Sequence, residues 1–377
     1  MIIVVMFHLS FQKSCLKTMN IDLFFEFEVS DDGDENVRQP RKIREFKPRI
    51  DPRAVFDDEM FKKHFRFSKE SVEYITAILE TDFMHENRRG LPIEPLYQVC
   101  IFLNHVAGAQ YHRTSAWCAG ISMEGARLSI IRVANALIRR KAEFIYLPSS
   151  DEMLATSQRI LDRFKLPRFA LAVDGVQMRF NEAPRKIPGN KNPQLFWCRK
   201  QFFSINCQVV ANDRLICDID VGWPGSTHDA RIWRRSQVKR VIESQRRFLI
   251  AGDSAYPISE VLIKPYPVAE SAQDNRKREF NRRLSGLRTV MSENLYGVWK
   301  RRFPILKNLR QNLETSQKVI VATAILFNMG RIWGDECPDG EEERPDDVEQ
   351  EVLIIDDRNT RAAGRVERDL LLANMIR

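Results

Sequence analysis

Four acidic residues stand where an apolar or basic stretch has no evident need of one. Asp174 follows the apolar run 169–173 and precedes Gly175. Asp229 closes Gly225-Ser226-Thr227-His228-Asp229. Asp253 follows a second apolar run, in Gly252-Asp253-Ser254-Ala255-Tyr256-Pro257. Glu293 lies in a basic stretch, within Arg288-Thr289-Val290-Met291-Ser292-Glu293. A carboxylate at the end of a buried strand is costly unless a donor or cation meets it. Alone, Asp174-Gly175 reads as a turn whose aspartate caps the next segment. Together, acids at strand ends on one edge of a sheet converge where α/β ligand sites lie. Clustered carboxylates repel one another, and hard divalent cations relieve that repulsion. Two cations roughly 3.5 to 4 Å apart stabilise both the attacking and the leaving oxygen of a phosphodiester.

The rest of the composition suits such a substrate. The chain has 377 residues, 44% of them hydrophobic, enough for two or three packed domains. Its formal charge is +8, although residues 335–357 are strongly acidic, so the body is more basic than the total. A basic globular body implies an anionic partner, of which nucleic acid is the common one. The seven cysteines are odd in number and show no Cys-x-x-Cys spacing, as expected of reduced residues in an intracellular protein. No apolar run approaches the ~20 residues that cross a bilayer.

The elements that must position the acids are an α/β set. Residues 1–55 are expected to be a disordered or extended tail. Residues 56–150 are expected to be helical, 151–334 to hold the sheet, and 335–377 to be an acidic tail with a terminal helix. Ser68 caps one helix; Pro92 and Pro95 open the next, which Gly108 ends. A short helix at 114–118, the Gly120 turn and a helix at 122–137 outline a helix-turn-helix. The second of these helices carries Arg127, Arg132, Arg139 and Arg140, facing either DNA or, in a plain bundle, only solvent. The helices of 61–142 are expected to pack apart from the sheet. Strands are expected at 169–173, ending at Asp174 and followed by the segment 176–180, then at 202–212, 215–221 and 248–251, with a turn at Asn212-Asp213 and a helix at 230–244. This gives a mixed sheet. A long basic helix at 276–302 ends at Pro304. It carries Arg282, Arg283, Arg288 and Lys300, read as a phosphate track beside a metal-bound acid, or else a solvated charged face. Helical spacing puts Glu293, Gly297 and Lys300 on one side. His228 reads as a phosphate contact or a loop hydrogen bond. An apolar helix is expected at 319–333.

In these motifs the chain resembles the PIF/Harbinger transposases and the host nucleases derived from them, within the DDE superfamily. The shared residues are Gly225-Ser226-x-His228-Asp229, then Gly252-Asp253-x-x-Tyr256-Pro257, then Arg288, Glu293, Gly297 and Lys300, and finally Leu326-Phe327-Asn328. The resemblance implies a ribonuclease-H-like core behind a helix-turn-helix-like domain. It implies Asp174, Asp253 and Glu293 as the catalytic triad and Asp229 as a further metal-site acid. The implied cofactor is a divalent cation, Mg2+ or Mn2+, the substrate DNA, the location the nucleus, and the partner a separately encoded Myb-like DNA-binding protein. Two departures stand out: the family's Thr-His after the first Asp-Gly is Val176-Gln177, and its Phe-Gly is Tyr296-Gly297. Valine cannot donate a hydrogen bond. The alternative is therefore a domesticated DNA-binding or scaffold protein that kept the fold and lost the chemistry.

Overall fold

The N-terminal helices begin where polar side chains catch the first free N–H groups. Asp51, Asp57 and Ser68 cap α1 (Pro52–Val55), α2 (Asp58–Phe65) and α3 (Lys69–Leu79) in this way. The structure, a computed structural model, describes residues 49, 51–83, 92–185, 192–335 and 358–375. All but the last few residues of the expected N-terminal tail, the acidic stretch 336–357 and the middle of the loop 184–193 lie outside them. The described residues fall in the unit Lys47–Arg377. Then come α4 (Pro95–Gly108), α5 (His112–Cys118), α6 (Met123–Arg139), α7 (Lys141–Phe144) and α8 (Ser150–Phe164). Gly120 makes the turn between α5 and α6 with φ of 63°, a conformation glycine adopts without strain.

Five strands follow: β1 (Phe169–Arg179), β2 (Ser204–Ala211), β3 (Ile216–Pro224), β4 (Leu249–Ala251) and β5 (Leu262–Ile263). Their order in the sheet is β3-β2-β1-β4-β5. The pairs β1–β2 and β2–β3 are antiparallel, whereas β1–β4 and β4–β5 are parallel. This is the mixed α/β class expected, and the order is consistent with a ribonuclease-H-like core. Helices α9 (Asp229–Arg235) and α10 (Gln237–Gln245) precede β4; α11 (Val268–Gln273), α12 (Asn275–Arg288), α13 (Asn294–Arg302), α14 (Leu313–Trp333) and α15 (Arg358–Asn374) follow β5.

Several boundaries differ from those read in the sequence. The first strand does not stop at Asp174: Asp174 pairs with Val209 and Gly175 with Gln208, so Asp-Gly is mid-strand and not a turn. The segment after Val221 is still strand, bent where Gly222 adopts φ of 115°. The helix expected over 230–244 breaks at Ser236, and β5 was too short to anticipate. The long basic helix is interrupted by a π-helical segment, Thr289–Glu293.

The helices of 61–142 do not pack apart from the sheet. Phe61, Phe102 and Leu137 share one apolar core with Val176 of β1, Ile205 of β2, Trp299 of α13 and Phe327 of α14. The reason is α14, which is buried along most of its length and packs on both α6 and β3. A helix apolar on all sides must be surrounded. Two buried polar side chains fix its placement. Asn328 donates to Phe144 O and Ile216 O, both at 2.7 Å, and accepts from Ile216 N at 3.0 Å. Arg302 donates to Asp335 O at 2.7 Å and Arg66 O at 2.8 Å, with its guanidinium 4.1 Å from the Phe67 ring centroid. A Cβ at position 330 would come within 2.3 Å of Arg302 Nη1, so glycine there makes room for the cation. Arg302, at the end of the basic stretch, therefore belongs to the core. No helix among the described residues is long and apolar enough to cross a membrane.

Arg302→Met should destabilise the protein by about 3 kcal/mol, since it strands two carbonyls that now accept charged hydrogen bonds. A lowered urea midpoint with an unchanged m-value checks it. His105 is buried, and burial pushes its pKa down to about 3, so it folds neutral. The unfolded chain binds its proton near pH 6.5. Stability should thus be level above that pH and fall below it, by up to about 1.4 kcal/mol per pH unit. His105→Gln should flatten that slope in urea titrations at successive pH values.

Candidate active site

Register places the first two acids. Ala172 of β1 pairs with Ala251 of β4, and Asp174 and Asp253 lie two residues beyond them. Side chains alternate along a strand, so Asp174 follows Ala172 toward the face covered by α12 and α13, while Asp253 lies beyond the end of β4. Strand β4 ends at Ala251, so at Asp174 the longer β1 has β2 on one side and has outrun β4 on the other. Gly175 faces the opposite way, toward α9, and there Asp229 meets it. A Cβ at position 175 would lie 2.4 Å from Asp229 Oδ1. The glycine after Asp174 is thus required by the approach of a carboxylate, not by a turn.

Each acid is held by a donor of the protein. Arg288 Nη2 donates to Asp174 Oδ2 at 3.3 Å, with both side chains largely buried, and Gly175 N donates to Asp174 Oδ1 at 2.9 Å. Asn206 Nδ2 donates to Asp229 Oδ1 at 2.8 Å and to Thr227 O at 2.9 Å, anchoring the loop and the acid together. Asp253, only 2% exposed, accepts from Ala255 N at 2.9 Å. Glu293 Oε2 accepts from Thr289 Oγ1 at 3.2 Å, across the π-helical segment. Such bulges insert one residue into helical register and recur at functional sites.

Tyr256 ties the set together electrostatically. It is fully buried, and its hydroxyl finds no hydrogen-bond partner among the described residues. Burial above all, then the charges of Asp229, Asp174 and Asp253, push its ionisation well above the usual phenol range. Tyr296, in the place of the family phenylalanine, donates to Val209 O at 3.2 Å and is likewise raised by burial and then by Asp174.

The four carboxylates were expected around a shared cation. Among the described residues, no three His, Cys, Asp or Glu side chains group closely enough to hold a metal. The physical reason is visible in the donors just named: each carboxylate is turned to its own partner, and Asp229 approaches β1 from the opposite face to Asp174. The chemistry of the donor set, oxygen only, suits a hard divalent cation.

The departing residues Val176 and Gln177 have structural tasks. Val176 is buried in the core that includes Tyr296 and Trp299. Ser204 Oγ donates to Gln177 Oε1 at 2.6 Å, and Gln177 Nε2 donates to Gly225 O at 3.5 Å, fastening the loop that leads to Asp229. Lys300 reaches the same strand, donating to Gln177 O at 3.3 Å. Arg288, read in sequence as a phosphate contact, pairs with Asp174. Asn206 went unnoticed, since one asparagine in an apolar strand carries no signal of its own.

The other expected nucleic-acid contacts are spread over the surface. His228 is exposed beside α9. Arg282 and Arg283 both pair with Glu279, at 2.7 and 2.8 Å. On α6, Arg132 is exposed, Arg127 pairs with Glu124, and Arg139 pairs with Asp82.

Comparison with known proteins agrees with the motifs. Residues 173–328 match the family described as DDE superfamily endonuclease. The chain is similar to "Putative nuclease HARBI1" of Mus musculus, 24% identical over 329 residues that cover 84% of this chain and 90% of that protein. The human protein of the same name is 22% identical over 333 residues, with the same coverage. "Protein ALP1-like" of Arabidopsis thaliana is 23% identical over 251 residues, 61% of this chain and 60% of that protein. No solved structure matches the chain significantly.

Gly175→Ala should destabilise by about 1–3 kcal/mol through overpacking against Asp229. Gly175→Ala with Asp229→Ala should cost less than the two single changes summed, by about 0.5 kcal/mol or more, in a double-mutant cycle of urea unfolding.

Proposed function

We propose that this chain, which carries a DDE superfamily endonuclease domain over residues 173–328, is a metal-dependent DNA endonuclease related in chemistry to the Harbinger transposases. The observation that supports the reading is the register of β1 against β4, in which Ala172 pairs with Ala251 two residues before Asp174 and Asp253. Asp174, Asp253 and Glu293 would hold Mg2+ or Mn2+, with Asp229 as an adjunct behind Gly175. When bound, such ions activate water and stabilise the oxygen leaving the phosphodiester. The chain's own residues prepare that site. Asn206 and Gln177 hold the 225–229 loop against the sheet. Arg288 orients Asp174, and must yield one carboxylate oxygen when a cation arrives. Thr289 holds Glu293 across the π-helical segment.

DNA would be gripped elsewhere. Arg282, Arg283 and Lys300 on the 275–302 stretch, His228, and Arg127 and Arg132 on the helix-turn-helix-like α5–α6 pair form the proposed contacts. In this reading residues 56–150 serve DNA placement and 151–334 cleavage. A Myb-like partner protein and a nuclear location belong to the same proposal. A second reading, a DNA-binding scaffold without chemistry, is favoured by one observation: Val176 and Gln177 are engaged in packing and loop support.

Asp253→Asn and Glu293→Gln should each abolish Mg2+-dependent nicking of supercoiled plasmid while DNA binding persists. Nicking by Glu293→Gln at the parent's rate would remove Glu293 from the site, and a parent that never nicks with any divalent ion or partner favours the scaffold. Because Glu279 pairs with both Arg282 and Arg283, Glu279→Gln should tighten DNA binding. Replacing both arginines by alanine should flatten the salt dependence by about one unit for each phosphate no longer neutralised. A filter-binding salt titration measures both.

A further inference from the structure

Away from the carboxylates, α4, α5 and α6 and the segment after Pro304 enclose a half-open cavity of about 450 Å3, within the range of small-ligand sites. Its floor is polar but uncharged. His105 Nδ1 lies 3.2 Å from Ser115 Oγ, and His105 Nε2 lies 3.2 Å from Gln311 Oε1. The His112 ring stacks obliquely on His105 with centroids 5.3 Å apart. Burial is the main force lowering the pKa of both histidines, so both are neutral at pH 7. Two buried atoms of this floor, Gln311 Nε2 and His112 Nε2, make no hydrogen bond of good geometry, although the Gln311 amide lies near enough to His112 to act against the effect of burial on its pKa. An orphaned buried donor costs about 1–3 kcal/mol, which a ligand could recover. Met123 and Ile305 supply apolar wall. The charge sits at the rim, where Arg113 and Arg310 are exposed and Arg310 lies 4.9 Å over the Tyr111 ring.

We propose that this cavity receives one nucleotide of the DNA substrate drawn out of its stack, its base against His112 and Gln311 and its phosphate on Arg310 and Arg113. The inference rests on the nuclease reading for its substrate class. A bare anion would meet no cation at the floor, whereas a nucleobase edge offers acceptors and donors side by side to a primary amide and a neutral imidazole. The apolar walls and Tyr111 suit the faces of a base, and the rim arginines suit the attached phosphate.

The test uses the full chain carrying Asp253→Asn, so that bound DNA stays intact. A duplex with 2-aminopurine in a terminal unpaired position is titrated, with anisotropy reporting bound DNA in the same sample. Unstacking into the cavity should raise 2-aminopurine emission severalfold. Gln311→Leu and His112→Phe should each abolish that rise, and circular dichroism confirms that each variant folds. Separately, dAMP should shift the His112 ring proton resonances, and inorganic phosphate should not. Emission that stays quenched on bound DNA overturns the proposal, as does phosphate competing as well as dAMP. If the protein binds no DNA at all, the nuclease reading fails, and the dAMP titration alone still decides the cavity.

Discussion

A carboxylate set into a sheet needs a donor, and the whole second half of the chain is arranged around meeting that need four times. Arg288 reaches Asp174 from the end of α12, Asn206 reaches Asp229 from β2, the Ala255 amide meets Asp253, and Thr289 meets Glu293. An unpaired charge in such surroundings would be more costly than the removal of any one apolar side chain from the packing. The donors come from separate segments of the chain. The sheet register, the 225–229 loop and the π-helical segment are therefore fixed together, and none can shift without exposing an acid.

The same logic runs through the core. Arg302 and Asn328 are buried polar groups that donate to carbonyls of distant segments, which makes them adhesives between helices and sheet. Chemically, Arg302 is like its neighbours Lys300 and Arg301, and its different role comes from Gly330 and Phe67 opposite it. The cavity between α4, α5 and α6 shows the converse case, in which Gln311 and His112 keep polar atoms that make no hydrogen bond of good geometry.

What the sequence disclosed follows from range. Apolar runs closed by an acid located β1, β4 and their aspartates, because burial and strand length are local signals. The continuity of β1 through Gly175 was hidden, because glycine after aspartate is locally a turn signal and the reason for it, Asp229, arrives from far along the chain. The break at Thr289–Glu293 was equally hidden, because a one-residue register insertion leaves helical composition unchanged. The pairing of Arg288 with Asp174 and the structural use of Val176-Gln177 depend on which elements meet, and spacing along the chain does not encode that. The helical segment was legible as helices but not in its packing, since α14 looks the same whether it ends one domain or joins two.

That shared core has a consequence for how such a chain can change over evolutionary time. A unit that keeps its own interior can be cut out, duplicated or joined to other genes and still fold. Here Phe61 and Phe102 lie in one apolar interior with Ile205 and Phe327. Either half on its own would present a broad greasy face to water and invite aggregation. The helices and the sheet must be inherited as one piece, and new binding specificity has to come from substitutions on the existing surface, not from exchange of a module.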